Sequence, residues 1–272
     1  MISSATALDG PFLLWFLSVL VYALGAHVVM GCLRETQRET GTRALWVLRA
    51  TAGSALGTVL CAGFVLALSG TEMRFAVGFH PAAAVGLWLL AMVCAVLVAW
   101  GISAQANVFG FFAGALALAA LVVALHSGWL AAVGFRPGLE WRLQYLAAAA
   151  VALAVGLTLA LTMGFSEGAL RSRHRLRWRL GAALLLALSL IVGQELMMAG
   201  AALKSQMGSA YARQLPAPLL SLAAGALVPI VLTVVALDLR YGRRRGLGHN
   251  KDQGSSAAPE RKKRRRYRIL GL

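Results

Sequence analysis

Residues 108–133 read VFGFFAGALALAALVVALHSGWLAAV and contain no Asp, Glu, Lys or Arg. A helix needs ~20 apolar residues to cross ~30 Å of hydrocarbon, and this stretch is longer than that. Ala, Leu, Val and Gly dominate it, without the strict alternation of a barrel strand. Because a backbone in lipid must satisfy its own hydrogen bonds, the stretch predicts a transmembrane helix.

Six further runs along the 272-residue chain have the same character. The predicted spans are 11–33, 46–69, 82–101, 108–133, 144–165, 180–203 and 217–239. The chain is 59% hydrophobic and only 13% charged, whereas soluble domains carry about a quarter charged residues. The sequence therefore predicts an all-α polytopic membrane bundle of seven helices. Residues 1–240 are predicted to form this membrane domain, and residues 241–272 a basic, disordered tail.

The Lys and Arg residues fall mainly on one side of this topology. The side that holds segments 34–49, 171–179 and 240–268 has 21 of the 26, and the other side has five. Cytoplasmic loops carry the excess of Lys and Arg in membrane proteins, so the N-terminus is predicted outside and the C-terminus in the cytoplasm. The net charge of +16 is thus a topology signal rather than a sign of nucleic-acid binding. The first ten residues lack a basic region, so a cleaved signal peptide is not expected.

Similar segments begin helices 3, 5 and 7. They read FHPAAAVGLWLLAM, LEWRLQYLAAAAVA and LPAPLLSLAAGALV, and they start at Phe79, Leu139 and Leu215. Their recurrence predicts three degenerate two-helix repeats followed by a seventh helix. The repeat also places three side chains at similar depth in the outer halves of helices 2, 4 and 6, namely Cys61, His126 and Gln194.

Three short segments carry a resemblance to a known family. They are LCAGFVLA at 60–67, LHSGWLAA at 125–132 and GQELMMAG at 193–200, the last preceded by LRWRLGAALLLALSLIVG. Together with the repeat layout they resemble the MHYT domain, a seven-helix bacterial membrane sensor module, over about residues 8–240. That family has a Met-His-Tyr-Thr-Gly-Met-like motif near the outer end of helices 2, 4 and 6. In this chain His126 keeps one His position and Met198 one second-Met position, while Cys61, Gln194 and Leu130 replace others.

The resemblance implies a sensor of the bacterial inner membrane that signals through a separate partner protein. It also implies a bound metal, proposed to be copper, that holds a diatomic gas. His and Met four residues apart share one helix face, and both suit copper. The donors that remain in this chain are Cys61, His126 and Met198, which would suit Cu(I) if they converge.

Each of these polar residues also has a plainer interpretation. His126 can hydrogen-bond a backbone carbonyl or Ser127, and Cys61 can act as a small apolar packing residue. Gln194 and Glu195 are polar groups inside helix 6, and an ionised carboxylate facing lipid is costly. Glu195 is therefore expected to face the interior or to reach outward to water. A further hypothesis is that Gln194 or Glu195 contacts His126 and replaces the metal by hydrogen bonds.

The end of the chain carries a dense basic run. As an anchor it would only reinforce the topology; as a binding segment it would meet anionic lipid headgroups or an acidic partner. Its basic residues are Arg261, Lys262, Lys263, Arg264, Arg265, Arg266 and Arg268.

The predicted function is a membrane sensor or signalling-associated protein without its own catalytic output. The alternative is a small-solute transporter or a permease or electron-transfer subunit of a membrane complex. A bis-His haem site is disfavoured because His27 and His126 lie in opposite leaflets. A retinal protein would need a buried Lys, and Lys204 is only at a span edge. No nucleophile–base pair, P-loop or dinucleotide fingerprint occurs, so the chain is not expected to be an enzyme.

Overall fold

The computed structural model describes residues 10–71, 75–104, 107–136, 138–166, 175–202 and 208–238. Seven helices in these residues are long and apolar enough to cross a membrane. They are α1 (Gly10–Thr36), α2 (Thr42–Gly70), α3 (Pro81–Ala104), α4 (Val108–Val133), α5 (Leu143–Phe165), α6 (Arg175–Gly200) and α7 (Ala217–Asp238). The predicted all-α, multi-pass bundle of seven helices is confirmed.

The helix bounds lie within a few residues of the predicted spans. The largest differences are in α2, which begins at Thr42, and in α6, which begins at Arg175 and ends at Gly200. Arg favours helix as strongly as most apolar residues, so a helix continues beyond the apolar run into the headgroup region. Helix α6 ends early because Ala201 and Ala202 leave it to pair with another connection.

Helices α1 to α6 form a ring in which each packs on its neighbours along the chain, and α6 returns to α1. The most hydrophobic part of α2 is 83% buried, against 22% for that of α3, so α2 is the most buried of the seven spans. Its Gly53 and Gly57 lie directly against the α3 backbone at Val96 and Ala91. Small residues four apart permit this close approach, which is how helices pack in lipid.

The outward faces of the helices are apolar. On α3, for example, Leu89, Val93 and Leu97 recur every four residues and are 58%, 59% and 60% exposed. Side chains at this spacing share one helix face. In a membrane this face meets acyl chains, which removes it from water as effectively as a protein core would.

Among the described residues, six two-residue strands join the connections at one end of the bundle, and the sequence did not predict them. They are β1 (Gly78–Phe79), β2 (Phe135–Arg136), β3 (Glu140–Trp141), β4 (Ala201–Ala202), β5 (Gly208–Ser209) and β6 (Leu215–Pro216). They form the antiparallel pairs β1–β6, β2–β5 and β3–β4. The α6–α7 connection thus pairs with both the α2–α3 and α4–α5 connections. Two residues are too few to show an alternating pattern. We call this end of the bundle the strand end.

The chain divides into two compact units, Met1–Leu232 and Thr233–Leu272. The first contains α1 to α6, the strands and most of α7, and the residues that line the site described next all belong to it. The basic run 261–268 and the rest of the predicted tail lie outside the described residues.

Candidate functional site

A small cavity lies where α1, α2, α4 and α6 meet. The volume that the centre of a water molecule can occupy inside it is about 20 Å³. A cavity needs about 10–15 Å³ by this measure to hold one water molecule, so this one has room for a water. Apolar and polar side chains border it: Leu60, Phe64, Val122, Leu125, Tyr22, His126, Trp129 and Gln194. His126 and Gln194 lie about 10 Å before the ends of α4 and α6, at 1.5 Å per residue, so the cavity is closer to the strand end.

His126 and Trp129 present unused hydrogen-bonding atoms in this region. Both side chains are buried, and they are three residues apart on one face of α4. His126 Nε2 has no hydrogen-bond partner among the described residues, and Trp129 Nε1 has beside it only the sulfur of Cys61, a weak acceptor. Buried polar atoms are rarely left unsatisfied, and such a group is costly. A small polar occupant of the cavity would supply the missing partner.

A hydrogen bond between α1 and α6 forms another part of the cavity wall. The Tyr22 hydroxyl donates to Gln194 Oε1 at 2.5 Å, and both side chains are buried. The Tyr22 ring lies directly against Gly63 of α2, where any side chain would collide with it. One turn earlier on α1, Ser18 Oγ donates to the Gly63 carbonyl at 2.9 Å. These contacts fix the phenol in position at the cavity.

Aromatic rings connect the cavity to the strand end. The Trp129 ring centroid lies 6.0 Å from that of Phe64, which in turn meets the His126 ring edge to face at 4.7 Å. On its other sides Trp129 contacts Phe79 at 5.4 Å and Trp88 at 6.3 Å. Phe79 belongs to β1, so a shift of the Trp129 ring would displace a residue of the β1–β6 pair.

Of the three predicted copper ligands, only His126 borders the cavity. Cys61 is fully buried and lies near Tyr22 and Trp129, whereas Met198 is only half-buried and is not part of the wall. Within the described parts of the chain, no three His, Cys, Asp or Glu residues are grouped closely enough to hold a metal. One imidazole beside a phenol and an amide does not fit the set of soft donors that Cu(I) needs.

Glu195 lies on the outside of the bundle. Its Oε1 accepts a hydrogen bond from Trp15 Nε1 of α1 at 2.9 Å, and the side chain is exposed. The hypothesised hydrogen bond from Gln194 or Glu195 to His126 is not observed among the described residues: Gln194 Oε1 accepts from Tyr22, Glu195 accepts from Trp15, and His126 Nε2 has no partner. Successive helix residues point about 100° apart, so Gln194 and Glu195 cannot both face the cavity.

Sequence reasoning missed Tyr22, Phe64 and Trp129. A signal was present for Trp129, since it follows His126 by three residues and so shares its face of α4. Tyr22 was the phenol placed farthest inside an apolar run, and a buried phenol usually finds a hydrogen-bond partner. Nothing in the sequence indicated that α1 and α6 are neighbours, which makes the Tyr22–Gln194 bond a tertiary finding.

Comparisons with known proteins give no match to this chain. No family model matches it, no curated protein does, and no solved structure does. The role of the cavity is therefore inferred from its own residues and geometry.

Proposed function

We propose that the protein is a membrane sensor or signalling-associated protein, of the kind that the resemblance to the MHYT domain implies, and that the cavity is its responding element. The observation that carries this proposal is the buried His126 Nε2, which has no hydrogen-bond partner among the described residues, together with Trp129 Nε1, which has only the weakly accepting Cys61 sulfur beside it. Both side chains border a cavity that can hold one water molecule. A neutral imidazole nitrogen accepts or donates according to its tautomer, and an indole N–H only donates. The proposed ligand is a molecule close to water in size that can accept a hydrogen bond.

The position of the cavity supports a signalling role. Four helices border it, and α1 and α6 are joined there by the Tyr22–Gln194 bond. An occupant that competes for Gln194, or that displaces Trp129, would change helix packing or the strand end. A ligand shifts a conformational equilibrium only by its differential affinity for the two states. A polar site at a helix crossing gives a small ligand the means to discriminate between them.

We further propose that the strand end faces the periplasm and that the opposite end, with the α1–α2 and α3–α4 connections, faces the cytoplasm of a bacterium. The excess of Lys and Arg on one side of the seven spans supports this orientation. Under it, the ligand enters from the outer side of the inner membrane, and the signal passes to a separate partner protein.

The test is a binding experiment on the full chain in lipid nanodiscs with ¹⁵N-labelled histidine. The His126 ring signals are those absent from the His126→Leu spectrum, and the chain has four other histidines as internal references. Nitric oxide and ammonia, at constant pH, serve as water-sized probes. We expect at least one probe to move or broaden the His126 signals and to leave the other histidines unchanged.

Ser127→Ala is the matched control. Ser127 is the next residue on α4, but its hydroxyl bonds the Val123 carbonyl of its own helix at 2.9 Å and does not border the cavity. The response should persist in this variant. If neither probe affects His126 differently from the other histidines, the cavity is not a sensing site for such molecules. Flux of a solute through the chain in proteoliposomes would instead favour the transporter alternative.

A further inference from the structure

A second group of polar atoms lies on the outer surface of α2 and α3, far from the cavity. Arg49 of α2 places its guanidinium carbon 5.9 Å from the centre of the Trp100 ring of α3. Trp46 follows the same face of α2, three residues earlier, and meets Trp100 edge to face at 4.5 Å. Trp46 is 47% exposed and Trp100 38% exposed. Arg49 thus lies against the indole of Trp100, which in turn contacts the indole of Trp46, and both indoles are exposed on the outside of the bundle.

These residues lie near the membrane interface at the end opposite the strands. Helix α2 has 29 residues and is about 44 Å long, so it exceeds ~30 Å of hydrocarbon by about 14 Å. Arg49 lies about 10 Å from its first residue, and Trp100 about 6 Å from the last residue of α3. A long arginine side chain at this level can extend its charge to the headgroups, where indoles also prefer to lie.

The charge on Arg49 has no partner within the described part of the chain. Its Nε is buried and makes no hydrogen bond, and its contact there is with the Trp100 ring. Arg34, by comparison, donates its Nε to the Gly164 carbonyl at 2.9 Å. A cation at the edge of hydrocarbon is costly unless an anion or another acceptor compensates it. Arg49 is half-buried beside two indoles that are exposed on the outer surface of the bundle, so lipid is the available source of that anion.

We propose that Arg49, Trp46 and Trp100 form a binding site for the phosphate of an anionic phospholipid. Arg49 would hold the phosphate through the planar donor edge of its guanidinium, which matches phosphate geometry. The cation–π contact with Trp100 would hold the guanidinium in place. On α3, the exposed Leu97 and Val93 continue the surface of Trp100 toward the membrane centre and offer apolar contact to the acyl chains.

The site favours a lipid over free phosphate and an anionic lipid over a zwitterionic one. Free phosphate has no apolar part to cover Val93, Leu97 and the two indoles, and its transfer from bulk water to the site costs solvation free energy. A zwitterionic headgroup carries its own cation, which competes for the phosphate. Each basic residue near a membrane surface contributes about five-fold to binding of an anionic lipid.

The experiment measures lipid contact at the two indoles. The full chain is reconstituted in phosphatidylcholine vesicles that contain phosphatidylglycerol, with bromine on the acyl chains of one lipid or the other. Bromine quenches indole fluorescence on contact. The quenching that arises at the site is the quenching of the unsubstituted protein minus that of the Trp46→Phe/Trp100→Phe variant. We expect brominated phosphatidylglycerol to occupy the site about five times more readily than brominated phosphatidylcholine.

Arg49→Gln should remove this preference, and Arg177→Gln should retain it. Arg177 is the matched control, because it is an exposed arginine at the same end, on α6, and stacks on neither Trp46 nor Trp100. Equal quenching by the two lipids in the unsubstituted protein would overturn the proposal, and that result depends on no variant folding. Displacement of phosphatidylglycerol by excess inorganic phosphate would also overturn it, since the site would then bind free phosphate.

Discussion

Gly63 and Tyr22 show how one missing side chain positions the cavity. The phenol ring lies where a Cβ on residue 63 would be, and its hydroxyl reaches Gln194 across the interior. Protein interiors are close-packed, so a ring in this position has little space to retreat. Residue 63 must therefore be glycine for Tyr22 of α1 to reach Gln194 of α6 in this position.

Gly63→Ala is therefore expected to destabilise the bundle by about 1–3 kcal/mol, the usual cost of overpacking a core. The measurement is the free energy of unfolding in mixed micelles. Gly86→Ala on the exposed face of α3 is the control, since no atom lies within 4 Å of the added methyl group. It should change stability by no more than about 0.5 kcal/mol. Equal effects of the two substitutions would show that the Tyr22 contact does not restrict residue 63.

The Tyr22–Gln194 bond can be tested by a double-mutant cycle. Tyr22→Phe leaves the buried Gln194 without its donor and should cost about 1 kcal/mol of unfolding free energy. Gln194→Leu should cost a similar amount by leaving the phenol unpaired. The double variant should be destabilised by less than the sum of the two single variants, because it leaves no buried donor or acceptor at this position without a partner. Strict additivity would mean that the bond contributes nothing to stability.

At the scale of elements, the α6–α7 connection holds the strand end together. Its Ser209 hydroxyl lies between three backbone groups, with the Val133 carbonyl at 2.9 Å, the Gly78 carbonyl at 3.0 Å and the Gly78 amide at 3.3 Å. Beside it, Gly134 ends α4 in the left-handed region with φ 63°, which a glycine adopts without strain. One short side chain thus connects the ends of three different chain segments.

Ser209→Ala should loosen this connection without unfolding the helices. We expect faster hydrogen exchange at the Ala210 and Ala217 amides, which bond the Gly134 and Val77 carbonyls at 3.1 and 2.9 Å. Ser103→Ala is the control: its hydroxyl bonds only the Trp100 carbonyl of its own helix, at the opposite end. Unchanged exchange at both amides in Ser209→Ala would show that the strand pairs alone hold the connection.

At the scale of the whole molecule, strand pairing and charge distribution bear on the same topology. The pairs bring the α2–α3, α4–α5 and α6–α7 connections to one end, as alternation of seven spans requires. They do not say which side of the membrane that end faces. The proposed orientation rests on the charge distribution, because basic segments are usually retained in the cytoplasm.

Reporter fusions test this orientation. Fusions after Thr40 and Asn107, in the α1–α2 and α3–α4 connections, should report the cytoplasm. Fusions after Gly138 and Arg213, in the α4–α5 and α6–α7 connections, should report the periplasm. The reverse pattern at all four sites would invert the orientation and keep the fold. A mixed pattern within one pair would contradict the alternation itself.

Much of the fold could be predicted from composition, but less of the site. His126 and Gln194 attracted attention as rare polar groups inside apolar runs, and the structure brings both to one cavity. Cys61 is buried beside the cavity residue Trp129, whereas Met198 is half-buried, Glu195 is exposed, and neither of these two borders the cavity. The sequence repeat concerns depth along a helix. It does not define rotation about the helix axis, and rotation decides which side chains meet.

The sequence by itself determined that the chain crosses a membrane seven times, because long uncharged runs in lipid must form helices. Its Lys and Arg residues supplied the predicted orientation. The tertiary structure alone decided that α6 closes the ring against α1, which joins Tyr22 to Gln194 across 172 residues of chain. It also decided that Gln194 faces the cavity while Glu195 meets Trp15 on the outside. Ring closure and helix rotation follow from how all seven surfaces pack at once, which no local pattern of residues records.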